Sequence, residues 1–361
     1  MPKPDLMEYI KKDIFTIAEI GKNFIQTKED QSVEVYIENA KSLIKAAKAA
    51  GADAVKLQTH DYRDEQLNID VTAPHFSGSD RYSWVKRNTE ATPPEFWQAL
   101  KTYSDELDII FFSTPMSRGA AQKLEAIDPP IWKVGSGDLL DFVLLDYLTQ
   151  TGKPIIVSSG MSTLEEVDKA VAFLKKRTDK LVLLHCVSQY PVTDPKDFNL
   201  KTIEFFQKRY EIPIGFSDHS LEADATLAAA AMGAVVIEKH FSWSRELWGS
   251  DHKVSLMPDE FKAMVDSLRH KKPVNLADYG EETKLLQEEE AKFRPLFRKS
   301  LMAGADVAPG TTLSPELIYA MRPQAYAGGL PSEDYESVLG RKVTKHLSKY
   351  EPITAEVLEQ P

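Results

Sequence analysis

The chain has 361 residues, of which 42% are hydrophobic and 27% charged, as in an ordinary soluble globular protein. Its formal net charge of -11 and its isoelectric point of about 5.3 argue against a surface for nucleic acid or anionic membranes. Its single cysteine, Cys186, excludes an internal disulfide framework and fits a reducing cytosol. No apolar run reaches the roughly 18 residues that span a bilayer, and Met1 to Lys12 lack a signal-peptide core, so we expect a cytoplasmic protein.

Eight short apolar runs, each bounded by turn or helix signals, recur along the first 241 residues. They are Ile14–Ile20, Ala54–Gln58, Ile109–Ser113, Ile131–Val134, Pro154–Ser158, Leu181–Cys186, Ile212–Phe216 and Ala234–Lys239. Segments with apolar residues at i, i+3 and i+4 lie between them, as in Glu34–Ala50, Leu164–Lys176 and Asp224–Met232. This alternation predicts parallel strands joined by crossover helices. Eight such units over about 250 residues indicate a (β/α)₈ barrel, with a doubly wound open sheet as the alternative.

The second gap, from Thr59 to Ile109, is too long for one crossover helix. Its first part, residues 60–92, is polar. Four aromatic residues interrupt it: Tyr62, Phe76, Tyr82 and Trp84. We expect a long loop over the active-site face, and a surface excursion without function is the alternative.

The pattern changes after residue 270. Lys271-Lys272-Pro273 punctuates the chain, and Tyr279–Arg294 is predicted to be a charged helix. Short segments such as Ser300–Ala303 and Tyr319–Arg322 then suggest strands and turns. A domain this small buries little apolar area, so we expect it to dock on another surface. The predicted units are a barrel at residues 1–275, a linker at 276–295 and a small, mostly β domain at 296–361.

Polar side chains concentrate where the predicted strands end, and in a barrel these ends face one pocket. They are Glu19, Lys56, Gln58, Ser113, Thr114, Lys133, Ser136, Ser158, Ser159, His185, Ser188, Ser217, Asp218, His219, Glu238 and His240. Lys56 and Lys133 lie between apolar residues, where an unpaired ammonium is costly. One explanation is a salt bridge to a barrel acid such as Glu19. With the hydroxyls and the turn Gly135-Ser136-Gly137, the two lysines favour a cradle for phosphate and carboxylate groups.

His219 and His240 end the last two predicted strands. They are too far apart in sequence to share a helix face, and either one alone would be read as a hydrogen-bonded structural histidine. At adjacent strand ends, however, two imidazoles can share one divalent metal. Two neutral nitrogens with water and substrate oxygens suit Mn²⁺ or Mg²⁺ better than a closed zinc site.

Twelve short motifs follow one another in order along the chain. They are Ala18–Asn23, Gly51–Gln58, Ser113–Pro115, Lys133–Asp138, Ser158–Met161, His185–Pro191, Ser217–Ser220, Glu238–Phe241, Gly249–His252, Lys299–Leu301, Met321–Pro323 and Leu339–Arg341. This set resembles the sialic acid synthase family. In that family, a TIM barrel that condenses phosphoenolpyruvate precedes an antifreeze-like (SAF) domain. The resemblance covers about residues 14–356.

The resemblance implies a role for each matching position. His219 and His240 match ligands of a divalent metal, Mn²⁺ or Mg²⁺. Groups that hold phosphoenolpyruvate are matched by Lys56, Thr114, Lys133, Ser136, Ser158, Ser188 and Ser217. Positions around an open-chain sugar are matched by Glu19, Asp138, Tyr190 and Asp251. The residues to which catalysis is assigned on this basis are Glu19, Lys56, Lys133, Asp138 and Asp251.

Arg322 matches an arginine that the small domain places over the sugar's N-acyl group in the partner subunit, which implies a domain-exchanged homodimer. The chain also departs from the common pattern. Asn23-Phe24 stands where the family usually has Asn-His, and Ser188 stands where many bacterial members have Asn. Ser188, Asp138 and Trp248–Asp251 resemble the animal-type branch, which uses a 6-phosphorylated N-acetylmannosamine.

The implied reaction joins phosphoenolpyruvate, water and N-acetylmannosamine or its 6-phosphate to give N-acetylneuraminate or its 9-phosphate, and phosphate. A diacetamido hexose that leads to legionaminic or pseudaminic acid is an alternative acceptor. Two other classes remain open at this point. One is an aldolase with a Schiff-base lysine at Lys56 or Lys133. The other is a non-catalytic module that binds carbohydrate or ice.

Overall fold

The computed structural model describes residues 5–72, 80–271, 274–276 and 279–360. Its main sheet has eight parallel strands in the order β3-β2-β1-β8-β7-β6-β5-β4, and β3 meets β4 at the remaining seam, which closes a barrel. The strands are β1 (Phe15–Gly21), β2 (Ala54–Thr59), β3 (Ile110–Pro115), β4 (Trp132–Val134), β5 (Ile155–Ser158), β6 (Leu181–Cys186), β7 (Ile214–Asp218) and β8 (Val236–His240). The predicted barrel is confirmed, and each predicted run is a strand whose ends shift by at most two residues.

Helices precede, connect and follow these strands. They are α1 (Leu6–Tyr9), α2 (Val33–Ala49), α3 (Tyr62–Glu65), α4 (Arg81–Glu90), α5 (Pro94–Glu106), α6 (Arg118–Glu125), α7 (Phe142–Gln150), α8 (Leu164–Lys175), α9 (Thr202–Tyr210), α10 (Asp224–Ala231) and α11 (Pro258–Arg269). Local capping sets where they begin: α8 starts at a capping box in which Thr163 and Glu166 bond each other's backbone. Within the described ranges, no helix is long and apolar enough to cross a membrane.

The barrel interior is apolar at one end and polar at the other. Alternate side chains of each strand face inward, and these inward residues change from apolar to polar toward the carboxyl end of the strand. In β1, Phe15 and Ile17 belong to the inner apolar cluster, and Glu19 follows at the next inward position. In β8, Val236 lies in that cluster, and Glu238 and His240 follow. Side chains of α1 pack into the same cluster and close the end of the barrel where the strands begin. The polar end is therefore the carboxyl end of the strands, where barrel enzymes hold their sites.

The insert at residues 60–92 contains α3 and α4, so it is not a plain loop; its residues 73–79, with Phe76, lie outside the described part of the chain. It reaches the small domain through main-chain hydrogen bonds. The Arg322 N–H donates to the Glu65 carbonyl at 2.9 Å, and the Leu67 N–H donates to the Arg322 carbonyl at 2.8 Å. The insert therefore lies at the mouth of the barrel, as expected for a loop over the active-site face.

The predicted helix at Tyr279–Arg294 is wrong in its first half. The helix α12 spans Glu288–Phe297, because a capping box between Gln287 and Glu290 starts it there. The predicted boundary between linker and small domain falls inside α12, and the three predicted units stay a prediction.

The small domain holds an antiparallel pair, β9 (Ser300–Ala303) and β10 (Ile318–Met321), with the short helices α13 (Gln324–Ala327) and α14 (Tyr335–Val338). Isolated bridges such as Thr312 to Lys342 tie its turns together. The domain packs on the barrel of its own chain: side chains of β9 and β10 share the outer apolar cluster of the barrel. The Ser332 hydroxyl also donates to the Leu140 carbonyl at 2.6 Å.

Candidate active site

Strand register decides which of the predicted strand-end residues face the barrel interior. His185 points outward: its ring lies 5.9 Å from that of Phe216, and its Nε2 lies 2.6 Å from the Phe198 carbonyl. Asp218 also points outward and pairs with Lys239 at 3.0 Å on the helix side of the sheet. These groups stabilise the barrel wall, so they do not belong to the pocket.

Lys56 lies at the centre of the polar end, buried among acids. Its Nζ is 2.5 Å from Glu19 and 3.6 Å from Glu238, and it donates to the Thr114 hydroxyl at 2.9 Å. Burial alone would lower the pKa of Lys56, but the two carboxylates outweigh it and raise the pKa. Lys56 therefore forms the salt bridge to Glu19 that was one explanation for its burial. The paired ammonium stays charged, so it can also bind an anionic ligand.

Lys133 occupies the other side of Glu238. Its Nζ donates to the Ser158 hydroxyl at 2.7 Å and is 3.8 Å from the Glu238 carboxylate, which also accepts from the Ser217 hydroxyl at 2.9 Å. Burial lowers the pKa of Lys133. Burial would raise the pKa of Glu238, but Lys133 and Lys56 outweigh it and lower the pKa to about 2. Glu238 therefore stays ionised between the two lysines.

Glu19 differs from Glu238 although both are buried carboxylates. Burial raises the pKa of Glu19 to about 7, against the opposing effect of Lys56 and with the help of Glu238. Its Oε1 accepts from the Gln58 amide at 3.0 Å. Two neighbouring acids with separated pKa values are the usual arrangement for one fixed charge and one group that exchanges protons near neutral pH.

The loops after β4, β5 and β6 converge around Gly160. A Cβ on this glycine would overlap the Ser188 hydroxyl, and it would lie 2.6 Å from the Ser136 hydroxyl and 3.0 Å from the Cys186 sulfur. Two serines predicted to hold phosphoenolpyruvate thus meet at one backbone position. Cys186 is buried as expected, and its sulfur lies 3.4 Å from the Ser136 hydroxyl.

His219 and His240 face each other, with ring centroids 5.4 Å apart. Nδ1 of His219 bonds the Val187 carbonyl at 2.9 Å, which leaves Nε2 as the lone-pair nitrogen. Burial lowers the pKa of His240 to about 4, and its Nδ1 has no hydrogen-bond partner in the described ranges. Burial would lower the pKa of His219, but Cys186 and the Val187 carbonyl outweigh it and raise the pKa. The two facing imidazoles, each with an available nitrogen, fit a divalent cation. Among the described residues, no three or more His, Cys, Asp or Glu form a ready metal cluster.

Asp251 and Tyr190 border the same space as these imidazoles. A Cβ on Gly21 would lie 3.1 Å from an Asp251 oxygen and 3.1 Å from Glu19 Oε1, so the two carboxylates flank one backbone position. Tyr190 stacks against His219 with ring centroids 4.2 Å apart, and 49% of the residue is exposed. Tyr190 is therefore the accessible wall of the pocket.

Asp138 lies at the opposite side of the mouth, under the small domain. Arg322 bonds its carboxylate, and Lys299 Nζ is 2.8 Å from it. All three side chains are about 1% exposed. In this structure Arg322 reaches the barrel of its own chain. The domain-exchanged homodimer, in which a partner subunit supplies this arginine, stays a prediction.

A second polar cluster at the mouth was not identified from the sequence. Lys22 bonds Nε2 of His60, whose Nδ1 lies 2.6 Å from a Glu65 oxygen. Lys22 Nζ also sits 3.6 Å from the centre of the Trp84 ring. Burial lowers the pKa of His60 to about 4 and the pKa of Lys22 well below its ordinary value. The sequence could have indicated this cluster, because His60 directly follows the polar end of β2.

Phe24, the departure from the family's usual histidine, is a core residue. It is 1% exposed, and its ring centroid lies 4.9 Å from that of Phe96 and 5.9 Å from that of Tyr36. The neighbouring Asn23 is buried too and donates to the Phe241 carbonyl at 2.9 Å. Where the family usually has a polar side chain, position 24 thus holds an aromatic ring that packs in the apolar core.

The fold and the strand-end chemistry define a (β/α)₈-barrel enzyme whose C-terminal domain covers the mouth of the pocket. Residues 43–275 match the model of the NeuB family, and residues 298–359 match the SAF domain. The chain belongs to the NeuB family of sialic, pseudaminic and legionaminic acid synthases, which are transferases that form carbon–carbon bonds.

Similarity to individual proteins extends over nearly the whole chain. Pseudaminic acid synthase of Campylobacter jejuni is 34% identical, over 93% of this chain and 94% of that protein. N-acetylneuraminate-9-phosphate synthase of Mus musculus is 32% identical, over 97% and 94%. The solved structure of the spore coat polysaccharide biosynthesis protein spsE from Bacillus subtilis superposes with a TM-score of 0.76 at 29% identity, covering 97% and 96%.

Proposed function

We propose that the chain condenses phosphoenolpyruvate with N-acetylmannosamine or its 6-phosphate and water. The products are N-acetylneuraminate or its 9-phosphate, and inorganic phosphate. The observation that carries this proposal is the pair of buried lysines, Lys56 and Lys133, held on either side of Glu238 near the facing imidazoles of His219 and His240. Such a site offers positive charge for a phosphate and a carboxylate in a water-poor pocket, where electrostatic stabilisation is strong.

The lysines and the hydroxyls would bind phosphoenolpyruvate. Lys56 with Thr114, and Lys133 with Ser158, would hold its two anionic groups. Ser136, Ser188 and Ser217 would add hydrogen bonds. Carbon 3 of the enol then attacks the aldehyde carbon of the open-chain sugar. Water adds to carbon 2, and the carbon 2–oxygen bond to phosphate breaks.

Glu19 is our candidate for proton transfer in this reaction. A pKa of about 7 lets it take a proton from the attacking water or give one to the new sugar oxygen near neutral pH. Asp251, across Gly21 from Glu19, would orient the acceptor. Asp138, Tyr190 and Arg322 would contact the sugar at the mouth. The Nε of Arg322 has no hydrogen-bond partner in the described ranges, so it can donate to an acyl oxygen.

His219 and His240 would hold a divalent metal, with Mn²⁺ or Mg²⁺ as the candidates. When bound there, the metal would supply Lewis-acid polarisation of the aldehyde. The imidazoles fit this role because burial keeps His240 neutral and the Val187 carbonyl fixes the tautomer of His219.

The test is a panel of acceptors incubated with phosphoenolpyruvate and Mn²⁺ or Mg²⁺. Phosphate release and product mass are measured for N-acetylmannosamine, its 6-phosphate and the diacetamido hexoses that lead to legionaminic and pseudaminic acids. We expect turnover with one of the first two sugars. Turnover with a diacetamido hexose alone would refute our choice of acceptor and would make the chain a legionaminic or pseudaminic acid synthase.

One observation favours a second class of reaction. Burial lowers the pKa of Lys133, and a neutral amine is what a Schiff-base aldolase requires. Treatment with pyruvate and borohydride distinguishes the two classes. A condensing synthase leaves the mass of the protein unchanged, whereas an aldolase gains a reduced adduct on the lysine.

A further inference from the structure

We propose that Glu290, in the helix between the barrel and the small domain, is a positioning residue for the phosphate-binding loops of the active site. This inference deepens the proposed function and rests on it. Glu290 is fully buried, although α12 is otherwise a polar connecting helix. Its carboxylate bonds backbone amides that lie more than 100 positions away in the chain.

The hydrogen bonds of Glu290 join two loops of the predicted phosphate site. Its Oε1 accepts from the Ser188 N–H at 2.7 Å and from the Met161 N–H at 3.0 Å, and its Oε2 accepts from the Gln287 N–H at 3.0 Å. Ser188 follows β6, and Met161 follows β5 directly after Gly160. One carboxylate oxygen therefore fixes the separation of the loops that surround Gly160.

The backbone of Met161 shows how firmly this separation is held. Met161 has a φ of 53°, in the left-handed region that a side chain disfavours. Both of its main-chain polar groups bond to α12: its N–H bonds Glu290, and its carbonyl accepts from Arg294 Nη1 at 2.5 Å. A disfavoured conformation that a neighbouring element holds from both sides is a mark of a positioned site.

The spacing that Glu290 sets is tight. Gly160 leaves no room for a methyl group beside the Ser188 and Ser136 hydroxyls. If the Glu290 carboxylate is removed, two buried amides lose their acceptor, and the loops must move to reach water or another partner. A shift of that kind displaces the Ser188 hydroxyl from the phosphate while Lys56 and Lys133 stay in place. Of the residues assigned to the acceptor, Glu19, Asp138, Asp251 and Arg322 lie on other elements and keep their places. Tyr190 follows Ser188 in the same loop and is the one that can shift with it.

The variant Glu290→Ala tests the proposal in the full-length chain. We expect the KM for phosphoenolpyruvate to rise by at least about tenfold, because small misplacements of a binding group cost this much or more. This is about 1.4 kcal/mol of binding. The KM for the sugar should rise clearly less than the KM for phosphoenolpyruvate, because only Tyr190 among the acceptor residues shares the displaced loop. A general loss of structure would raise both alike. Glu290→Gln retains an acceptor oxygen and should rescue most of the loss.

Glu289→Ala is the matched control. Glu289 is the preceding residue of α12, is exposed and pairs with the nearby Lys292 in an i,i+3 contact. Its variant should retain the wild-type KM for both substrates. A KM for phosphoenolpyruvate that is the same in Glu290→Ala as in Glu289→Ala would overturn the proposal. Should Glu290→Ala fail to fold, Glu290→Asp, whose carboxylate is one methylene too short to reach both amides, takes its place under the same criterion.

A binding measurement separates this inference from the proposed function. If wild-type protein releases no phosphate with any acceptor, the proposed function fails. Calorimetric titration with inorganic phosphate and with phosphoenolpyruvate then decides the inference by itself. Weaker binding in Glu290→Ala than in Glu289→Ala supports it, and equal binding refutes it.

Discussion

The guanidinium of Arg322 and the carboxylate of Asp138 form an ion pair between the small domain and the barrel, with each side chain 1% exposed. Lys299 approaches the same carboxylate at 2.8 Å and is also held by Asp141 at 2.7 Å. Asp138 is thus shared by two cations. The pair lies at the mouth of the pocket, next to the insert.

Replacing Arg322 by alanine should weaken acceptor binding without affecting phosphoenolpyruvate. Lys299 remains beside Asp138, so the carboxylate is not left as an uncompensated buried charge. We expect the acceptor KM to rise by about tenfold or more, as when a charged hydrogen bond of about 1.5–3 kcal/mol is lost. Steady-state kinetics with each substrate varied in turn measure this. Lys345→Ala, at an exposed site of the small domain, is the control, and an unchanged acceptor KM in Arg322→Ala would exclude the contact.

Removing the metal, or one of its proposed ligands, should stop phosphate release while the fold survives. We expect a chelator to abolish activity and added Mn²⁺ or Mg²⁺ to restore it. His240→Ala should be inactive at every metal concentration, because a single imidazole binds such ions weakly. His270→Ala, which alters an exposed histidine at the end of α11, should match wild type. Full activity of His240→Ala would contradict the metal assignment.

Gly160→Ala should damage the phosphate site more than it damages stability. The added methyl group overlaps the Ser188 hydroxyl and forces one of the two loops to move. We expect kcat/KM for phosphoenolpyruvate to fall by about a hundredfold, as for a misplacement of about 1 Å. Gly152→Ala is the contrasting variant: its φ is 68°, but no heavy atom lies within 4 Å of the added carbon. It should cost about 1 kcal/mol of stability and leave kinetics unchanged.

The attachment of α12 to the barrel should weaken in acid. Burial would raise the pKa of Glu166, but hydrogen bonds from Arg294, the Thr163 amide and Arg298 outweigh it and lower the pKa to about 2. Because the folded-state pKa lies below the unfolded one, these bonds stabilise the protein above about pH 4.3 and are lost as the pH falls toward 2. Glu166→Gln should therefore unfold about 2 °C lower than wild type at pH 7, for a loss of about 1 kcal/mol.

This difference between Glu166→Gln and wild type should vanish near pH 2. Thermal unfolding followed by circular dichroism across this pH range checks it. Asp168→Asn is a matched control, because Asp168 bonds Arg209 within the barrel and does not contact α12. If the variant and wild type differ equally at pH 7 and pH 2, the carboxylate's charge is not the cause.

The barrel could be predicted because short, continuous stretches of sequence are enough to indicate each strand and helix. Each strand run is a continuous apolar segment, and period-2 alternation alone indicates that Glu19 and Glu238 follow apolar neighbours on the same face. The same alternation explains why His185 and Asp218 turn outward, which strand ends alone did not indicate. The juxtaposition of His219 and His240 followed from strand order, since β7 and β8 are neighbours in the sheet.

Contacts between distant segments could not be predicted in this way. Glu290 looks like an ordinary surface charge in the sequence, and the motif Lys299–Leu301 assigned Lys299 no place at the pocket. Only the path of the chain after residue 270 brings both residues against it. The start of α12 was missed because charged residues before Glu288 fit a helix as well as those after it. The location of Arg322 in its own chain's barrel depends on the bonds to Glu65 and Leu67, for which the sequence carries no pattern.

Those two bonds use only the main chain of Arg322. The insert and the small domain are thus joined through peptide N–H and C=O groups. Every residue except proline carries both groups. The Arg322 side chain adds an ion pair to Asp138 across the same contact. A substitution at position 322, other than by proline, therefore removes that ion pair and leaves the two main-chain bonds in place.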